Sequence, residues 1–111
     1  MTVTEFAGND IPFIKMHGAG NDYIFIDGFS TPLPNDPERL VQRVSRRRTN
    51  VGSDGLVCLV PPPDAGSDVE LRIWNADGSA AQMCGNAARC TAFWMQREKR
   101  VADICRIQIA D

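Results

Sequence analysis

The segment from Ala87 to Met95 constrains the fold most. Ala87, Ala88, Cys90, Ala92, Phe93, Trp94 and Met95 would leave a helix with almost no polar face. A helix apolar on all sides must be enclosed by other structure. The chain turns polar only at Gln96 to Arg100, where positive charge suits a helix C-terminus. With 111 residues, 43% of them hydrophobic, there is material for one domain with a real core and too little for two. The expected architecture is therefore α+β: antiparallel strands wrapped as a barrel-like sheet around a central apolar helix.

Strands to do the wrapping are visible on both sides of that helix. PFIKMHGAGNDYIFIDG reads as strand, tight loop, strand, with Phe13 and Lys15 alternating with Ile14 and Met16. Tyr23 to Ile26 is aromatic and β-branched, and Gly18 and Gly20 serve the loop between. GLVCLV, Gly55 to Val60, is a short apolar run that reads as a buried strand, with Cys58 a small core residue. PPPDAGSD is a loop. VELRIWN then places Val69, Leu71 and Ile73 on one face and Glu70, Arg72 and Trp74 on the other. Asp77-Gly78 is a turn signal that returns SAAQM antiparallel. Ile104 to Ile109 alternates loosely as a last strand. Between the first strands and GLVCLV lies a second helix. Asp36 can cap it, Pro37 fits its first position, Glu38 suits its first turn, and Leu40, Val41 and Val44 form its apolar face. Arg46, Arg47 and Arg48 follow as a solvated helix end, a reading preferred to a nucleic-acid contact.

A formal net charge of −2 argues against nucleic-acid or membrane-surface binding. MTVTEFAGND shows no basic patch followed by an apolar run, and no stretch approaches the roughly 20 apolar residues of a membrane span. A cytoplasmic protein is expected. The four cysteines, Cys58, Cys84, Cys90 and Cys105, are then expected as free thiols. No C-x-x-C pair and a single histidine speak against a zinc site.

GAGNDY resembles the start of a dinucleotide phosphate loop, but Tyr23 stands in place of the third glycine and a strand follows. A structural or binding loop is expected instead, with His17 a packed or hydrogen-bonded loop residue rather than a base. Cys84 is the stronger candidate for chemistry. It precedes Gly85, which lets backbone approach a ligand closely, and it opens a helix whose dipole favours a thiolate. The N–H groups of Gly85 and Asn86 would form an anion site suited to a carboxylate. Asn75 and Asp77 in the preceding hairpin are polar rather than core-like. A bridge or shared metal with Cys90 is excluded on a helix, where six residues separate the side chains by about 120° and more than one turn of rise. An inert buried thiol and a functional one both stay open on these residues alone.

KMHGAGNDYIFIDG, GSDGL and RIWNADGSAAQMCGNAARC, in that order, resemble the N-terminal half of diaminopimelate epimerases, over about Phe13 to Ile109. The resemblance implies interconversion of LL- and meso-2,6-diaminopimelate, in lysine and peptidoglycan precursor synthesis, without pyridoxal phosphate, metal or other cofactor. It implies two similar domains, each with strands around a central helix, and two cysteines on opposite faces of the α-carbon, one removing a proton and the other donating one. By motif, Cys84 is one of these acid/base residues. Gly85 and Asn86 offer backbone N–H groups to the reacting carboxylate, and Asn21 and Asn75 are substrate-binding.

Departures from the family pattern are expected to matter. Ala87 stands where a glycine is usual and could tighten the site. Gly55 stands where some members carry a binding glutamine. Residues 1–111 are read as a single N-terminal domain without the second domain and its cysteine, hence inactive alone, with the full-length protein as a candidate homodimer. Two other readings remain: another cofactor-independent racemase or isomerase of the superfamily, such as a proline racemase-like protein, and a non-catalytic thiol-sensor or binding domain.

Overall fold

Two runs with no polar face, Tyr23 to Ile26 and Leu56 to Val60, are buried along their whole length. Such strands need apolar cover on both faces, and that requirement organises the molecule. The computed structural model describes residues 2–4, 10–18, 20–81 and 85–110. In chain order the elements are β1 (Thr2–Thr4), β2 (Asp10–Pro12), β3 (Ile14–Gly18), β4 (Asn21–Asp27), α1 (Pro37–Val44), β5 (Gly55–Val60), β6 (Val69–Asn75), β7 (Ala80–Ala81), α2 (Gly85–Arg97) and β8 (Ile107–Ile109). β1 and β2 form a two-stranded ribbon. The main sheet runs β3-β4-β5-β6, and the far edge of β6 is shared. β8 pairs with Val69 to Leu71 and β7 with Ile73 and Trp74.

Side-chain alternation sends each strand into two cores. Ile24, Ile26, Leu56, Cys58 and Val60 point to one face, where Leu40, Val41 and Val44 of α1 cover them together with Val3, Ile11 and Phe13. Tyr23, Phe25, Val57, Leu59, Val69, Leu71 and Ile73 point to the other, against Ala87, Cys90, Trp94 and Met95 of α2. The alternation of Val69, Leu71 and Ile73 against Glu70, Arg72 and Trp74 is as the sequence predicts.

The mixed α+β class holds, but two features of the expected barrel differ. The strands are not all antiparallel: β4 and β5 pair in parallel, as do β6 and β8. Each pair is joined through a helix, and a helical crossover carries the chain back to start the next strand in the same direction. Among the described residues the sheet is open, with a helix on each face rather than wrapped around one.

α1 matches its expected start and face. The Asp36 carboxylate accepts from the Arg39 N–H at 3.3 Å, and Pro37 opens the helix. α2 differs from the all-round apolar helix. Its buried residues, Ala87, Cys90, Thr91, Trp94 and Met95, fall at i, i+3, i+4, i+7 and i+8, which is one stripe. Phe93 is 62% exposed on the opposite side. Thr91 serves the stripe because its hydroxyl donates to the Ala87 carbonyl at 2.8 Å. The β1–β2 ribbon has no counterpart in the sequence reading: its strands are three residues each and only Val3 and Ile11 are buried. The last strand is shorter than Ile104 to Ile109. Ile104 is 76% exposed, and pairing begins after the Arg106 N–H donates to Asp68 Oδ2 at 2.7 Å. The return after Asp77-Gly78 is antiparallel as expected over Ala80 and Ala81, while Gln82 and Met83 lie outside the described residues.

Candidate active site

Register alone brings most of the candidate residues together. Asn21 opens β4 and pairs with Gly18, the end of β3. Tyr23 pairs with Gly55, the start of β5, and Gly55 pairs with Asn75, the end of β6. Asn21 and Asn75 therefore lie at the same end of the sheet, two strand spacings or roughly 10 Å apart across it. α2 starts at that end as well: a Cβ added to Gly18 would stand 3.3 Å from the Asn86 Cβ and from the Cys90 Sγ. Asn21 and Asn86 are half-buried and Gly85 is exposed. Cys84 lies outside the described residues, directly before the first residue of α2. The first turn of α2 carries no acidic side chain, so nothing on the helix itself offsets its positive end.

The turn that carries Asn75 is tightly held. Its N–H donates to the Ser79 carbonyl at 2.8 Å, its carbonyl accepts from Gly78 N–H at 2.9 Å, and its Nδ2 donates to Ser79 Oγ at 3.1 Å. Asp77 Oδ1 accepts from the Ser79 hydroxyl at 2.6 Å and from its N–H at 2.8 Å, and this holds the Asp77 carboxyl below its ordinary range. From α1, Gln42 Nε2 donates to the Asp77 carbonyl at 2.7 Å.

Beside Asn21 sits an ion-pair network that the sequence reading missed. The Asp22 side chain is only 9% exposed. Arg47 Nη2 donates to Asp22 Oδ1 at 2.8 Å and Nη1 to Oδ2 at 3.2 Å, while Lys15 Nζ lies 2.8 Å from Oδ2. The Arg47 guanidinium, with Lys15 adding to it, holds the Asp22 carboxyl far below the usual carboxylate range against the opposing effect of burial. Arg47 also reaches Asp54 Oδ1 at 3.3 Å. The arginine run after α1 is thus more than a solvated helix end. The sequence signal for it was weak: 25 residues separate Arg47 from Asp22.

Three cysteines besides Cys84 are placed, and Cys58 and Cys105 are free thiols. Cys58 lies inside β5, and burial pushes its thiol up to about 12. Cys90 is packed on α2 as expected and donates to the His17 carbonyl at 3.4 Å. Burial also raises the half-buried Cys105. His17 itself is exposed and lies in β3, paired with Asp22, not packed in a loop. Ala87 is fully buried in the core under α2, so its methyl group points into packing rather than toward the end of the sheet. Among the described residues no group of three or more His, Cys, Asp or Glu side chains is arranged to hold a metal ion, and no helix is long and apolar enough to cross a membrane. An open groove of about 1080 Å³ lies between β7 and β8, lined by Glu70, Arg72, Trp74 and Gln108, and no candidate site residue borders it.

The sequence model of diaminopimelate epimerase matches residues 13–110, which contain every one of these candidate residues. The chain belongs to the diaminopimelate epimerase family. The diaminopimelate epimerase of Desulforudis audaxviator is 50% identical over 90 residues, covering 81% of this chain and 32% of that protein. The diaminopimelate epimerase of Methanococcus maripaludis strain C5 is 44% identical over 97 residues, covering 87% of this chain and 34% of that protein. The chain thus spans about a third of the length of the curated relatives it matches. In structure it is similar to methylitaconate-delta-isomerase, with a TM-score of 0.70 at 16% identity over 90% of this chain and 54% of that one, a likeness of fold. Within this family fold, the Asn21 loop, the Asn75 turn and the start of α2 occupy one end of the sheet.

Proposed function

We propose that this chain carries one half of the active site of a cytoplasmic, cofactor-independent diaminopimelate epimerase, with Cys84 one of two acid/base thiols. The observation that carries the reading is the meeting of Asn21, Asn75 and the Gly85-Asn86 helix start at one end of the sheet, in a member of this family. Inverting a stereocentre needs a proton removed from one face and one delivered to the other. Cys84 as thiolate takes the α-proton, and the electron pair of the broken C–H bond spreads onto the adjoining carboxylate. A second thiol, on the opposite face, gives its proton to the carbon. The N–H groups of Gly85 and Asn86 hold that carboxylate as its charge grows, where fixed donors act most strongly. Each unit of pKa mismatch between α-carbon and thiol costs about 1.4 kcal/mol, so this stabilisation bears directly on rate. The amides of Asn21 and Asn75 offer donors and an acceptor to the substrate's remaining ammonium and carboxylate groups.

The other placed cysteines do not suit the role of second thiol. Cys58 is buried, Cys90 is packed within α2, and Cys105 precedes β8 at the Val69 end of β6, opposite the end that carries Asn75. The opposing acid/base then comes from a second domain beyond these 111 residues, which would also cover the Phe93 face of α2 and complete the wrap around that helix. The chain alone is inactive in this reading.

The test is a chimera in which this chain replaces the matched segment of the Desulforudis audaxviator enzyme. Limited alkylation with iodoacetamide and peptide mapping should mark Cys84 before Cys58, Cys90 or Cys105, and diaminopimelate should protect it. Alkylation of Cys84 no faster than Cys58, or no protection at saturating diaminopimelate, overturns the proposal.

A further inference from the structure

Three links of Asp54 land on residues that adjoin a candidate substrate-binding asparagine. The Asp54 N–H donates to the Asp22 carbonyl at 2.8 Å, and Asp54 Oδ2 accepts from the Asp22 N–H at 2.9 Å. Asp22 directly follows Asn21. The Asp54 carbonyl accepts from the Ala76 N–H at 3.1 Å. Ala76 directly follows Asn75. One residue thus grips the chain next to both asparagines, using its donor, its carbonyl and its carboxylate.

Arg47 closes the arrangement. Its guanidinium forks onto both Asp22 oxygens and reaches Asp54 Oδ1 at 3.3 Å. The segment between Arg47 and Asp54 is fixed to the end of α1. Gly52 N–H donates to the Val44 carbonyl at 2.8 Å, Ser53 N–H to the Ser45 carbonyl at 3.2 Å, and the buried Ser45 and Ser53 hydroxyls lie 2.8 Å apart. Gly52 has φ +80, and a Cβ there would stand 2.9 Å from Arg47 Cγ, so the chain folds back close against the arginine. The Arg47 side chain is 57% exposed. An ion pair open to water adds little to stability, so its threefold bonding is poorly explained as a fold staple. It is well suited to fixing geometry, because a planar fork sets the angle between two carboxylates as a lysine cannot.

We infer that Arg47 and Asp54 are positioning residues that hold Asn21 and Asn75 in one frame for substrate. This rests on the reading of those asparagines as substrate-binding. Neither residue touches substrate in this account: Arg47 acts through Asp22, and Asp54 acts through the backbone beside each asparagine.

The test uses Arg47→Ala, Arg47→Lys and Asp54→Ala in the chimera, with Arg48→Ala, the solvated neighbour, as control. KM for diaminopimelate should rise at least fivefold in all three variants, kcat should fall less than threefold, and Arg48→Ala should match wild type. Arg47→Lys should not rescue, since it keeps the charge and loses the fork. In ¹⁵N-labelled protein, Arg47→Ala and Asp54→Ala keep the Asp54 backbone bonds but release the carboxylate that anchors that peptide, and each should shift the side-chain amide signals of both Asn21 and Asn75. Unchanged KM in an active wild-type background, or movement of only one asparagine, overturns the inference. If the wild-type chimera does not turn over diaminopimelate, the functional reading fails instead, and the paired amide shifts still decide whether Arg47 and Asp54 couple the two asparagines.

Discussion

At the scale of residues, Asp22 and Gly55 show how local chemistry is set by distant partners. Because Arg47 and Lys15 lower the Asp22 carboxyl in the folded chain, its contribution to stability is full above the ordinary value of 3.8 and is lost as pH falls from there through the folded value. Asp22→Asn should therefore cost about 1 kcal/mol near neutrality, below the range for buried hydrogen bonds to a charged group because the guanidinium is exposed. The cost should hold constant above pH 5 and shrink below about pH 4, as read by urea denaturation across pH. Gly55 has a steric reason to be glycine. A Cβ there would collide with the Trp74 carbonyl oxygen across the β5–β6 pair. Gly55→Gln should force those strands apart and cost about 1–3 kcal/mol in the same assay. The Asp36 cap and the Pro37 start were legible because they act within one turn. The Arg47–Asp22 pair was not, since no local pattern links residues that only the fold brings together.

At the scale of elements, α2 is the informative case. Its composition suggested enclosure on all sides, yet only the stripe from Ala87 to Met95 that meets the sheet is buried. Counting apolar residues does not separate a packed Trp94 from an exposed Phe93 when both sit among alanines. Trp94→Ala should remove about 3–5 kcal/mol by emptying a packed core position, while Phe93→Ser in this chain should change stability by less than about 0.5 kcal/mol. Thermal unfolding of the two variants reads the contrast. The end of α2 offers a second test. Lys99 adopts φ 57, a left-handed conformation, while the Arg100 N–H returns to the Met95 carbonyl at 2.9 Å. Lys99→Gly should relieve that conformation and raise stability by about 1 kcal/mol. The strands fared better than the helix. GLVCLV and VELRIWN matched β5 and β6 because an unbroken apolar run and a strict alternation each demand one kind of burial. The parallel pairing of β4 with β5 and of β6 with β8 was not legible, being set by the helical crossovers.

At the scale of the whole molecule, the sheet is covered on one face by α1 and on the other by α2, and both helices serve the same end of it. α1 delivers Gln42 to the Asn75 turn and is followed by the Arg47 clamp beside Asn21. α2 delivers its N-terminus, with Asn86 beside Gly18. The candidate site was largely legible because its residues fall in three short motifs, whereas the frame that joins those motifs lies in contacts 22 to 35 residues apart. Exchange of the α-proton of diaminopimelate at Cys84 is the step that decides the proposed function. It is tested most directly by running the chimera on LL-diaminopimelate in D2O and following deuterium at the inverted carbon by mass spectrometry. Each meso product molecule formed early should carry one solvent deuterium, Cys84→Ala should abolish both inversion and exchange, and the isolated 111-residue chain should support neither. Inversion that persists in Cys84→Ala, or proceeds without deuterium uptake, would contradict the proposed function.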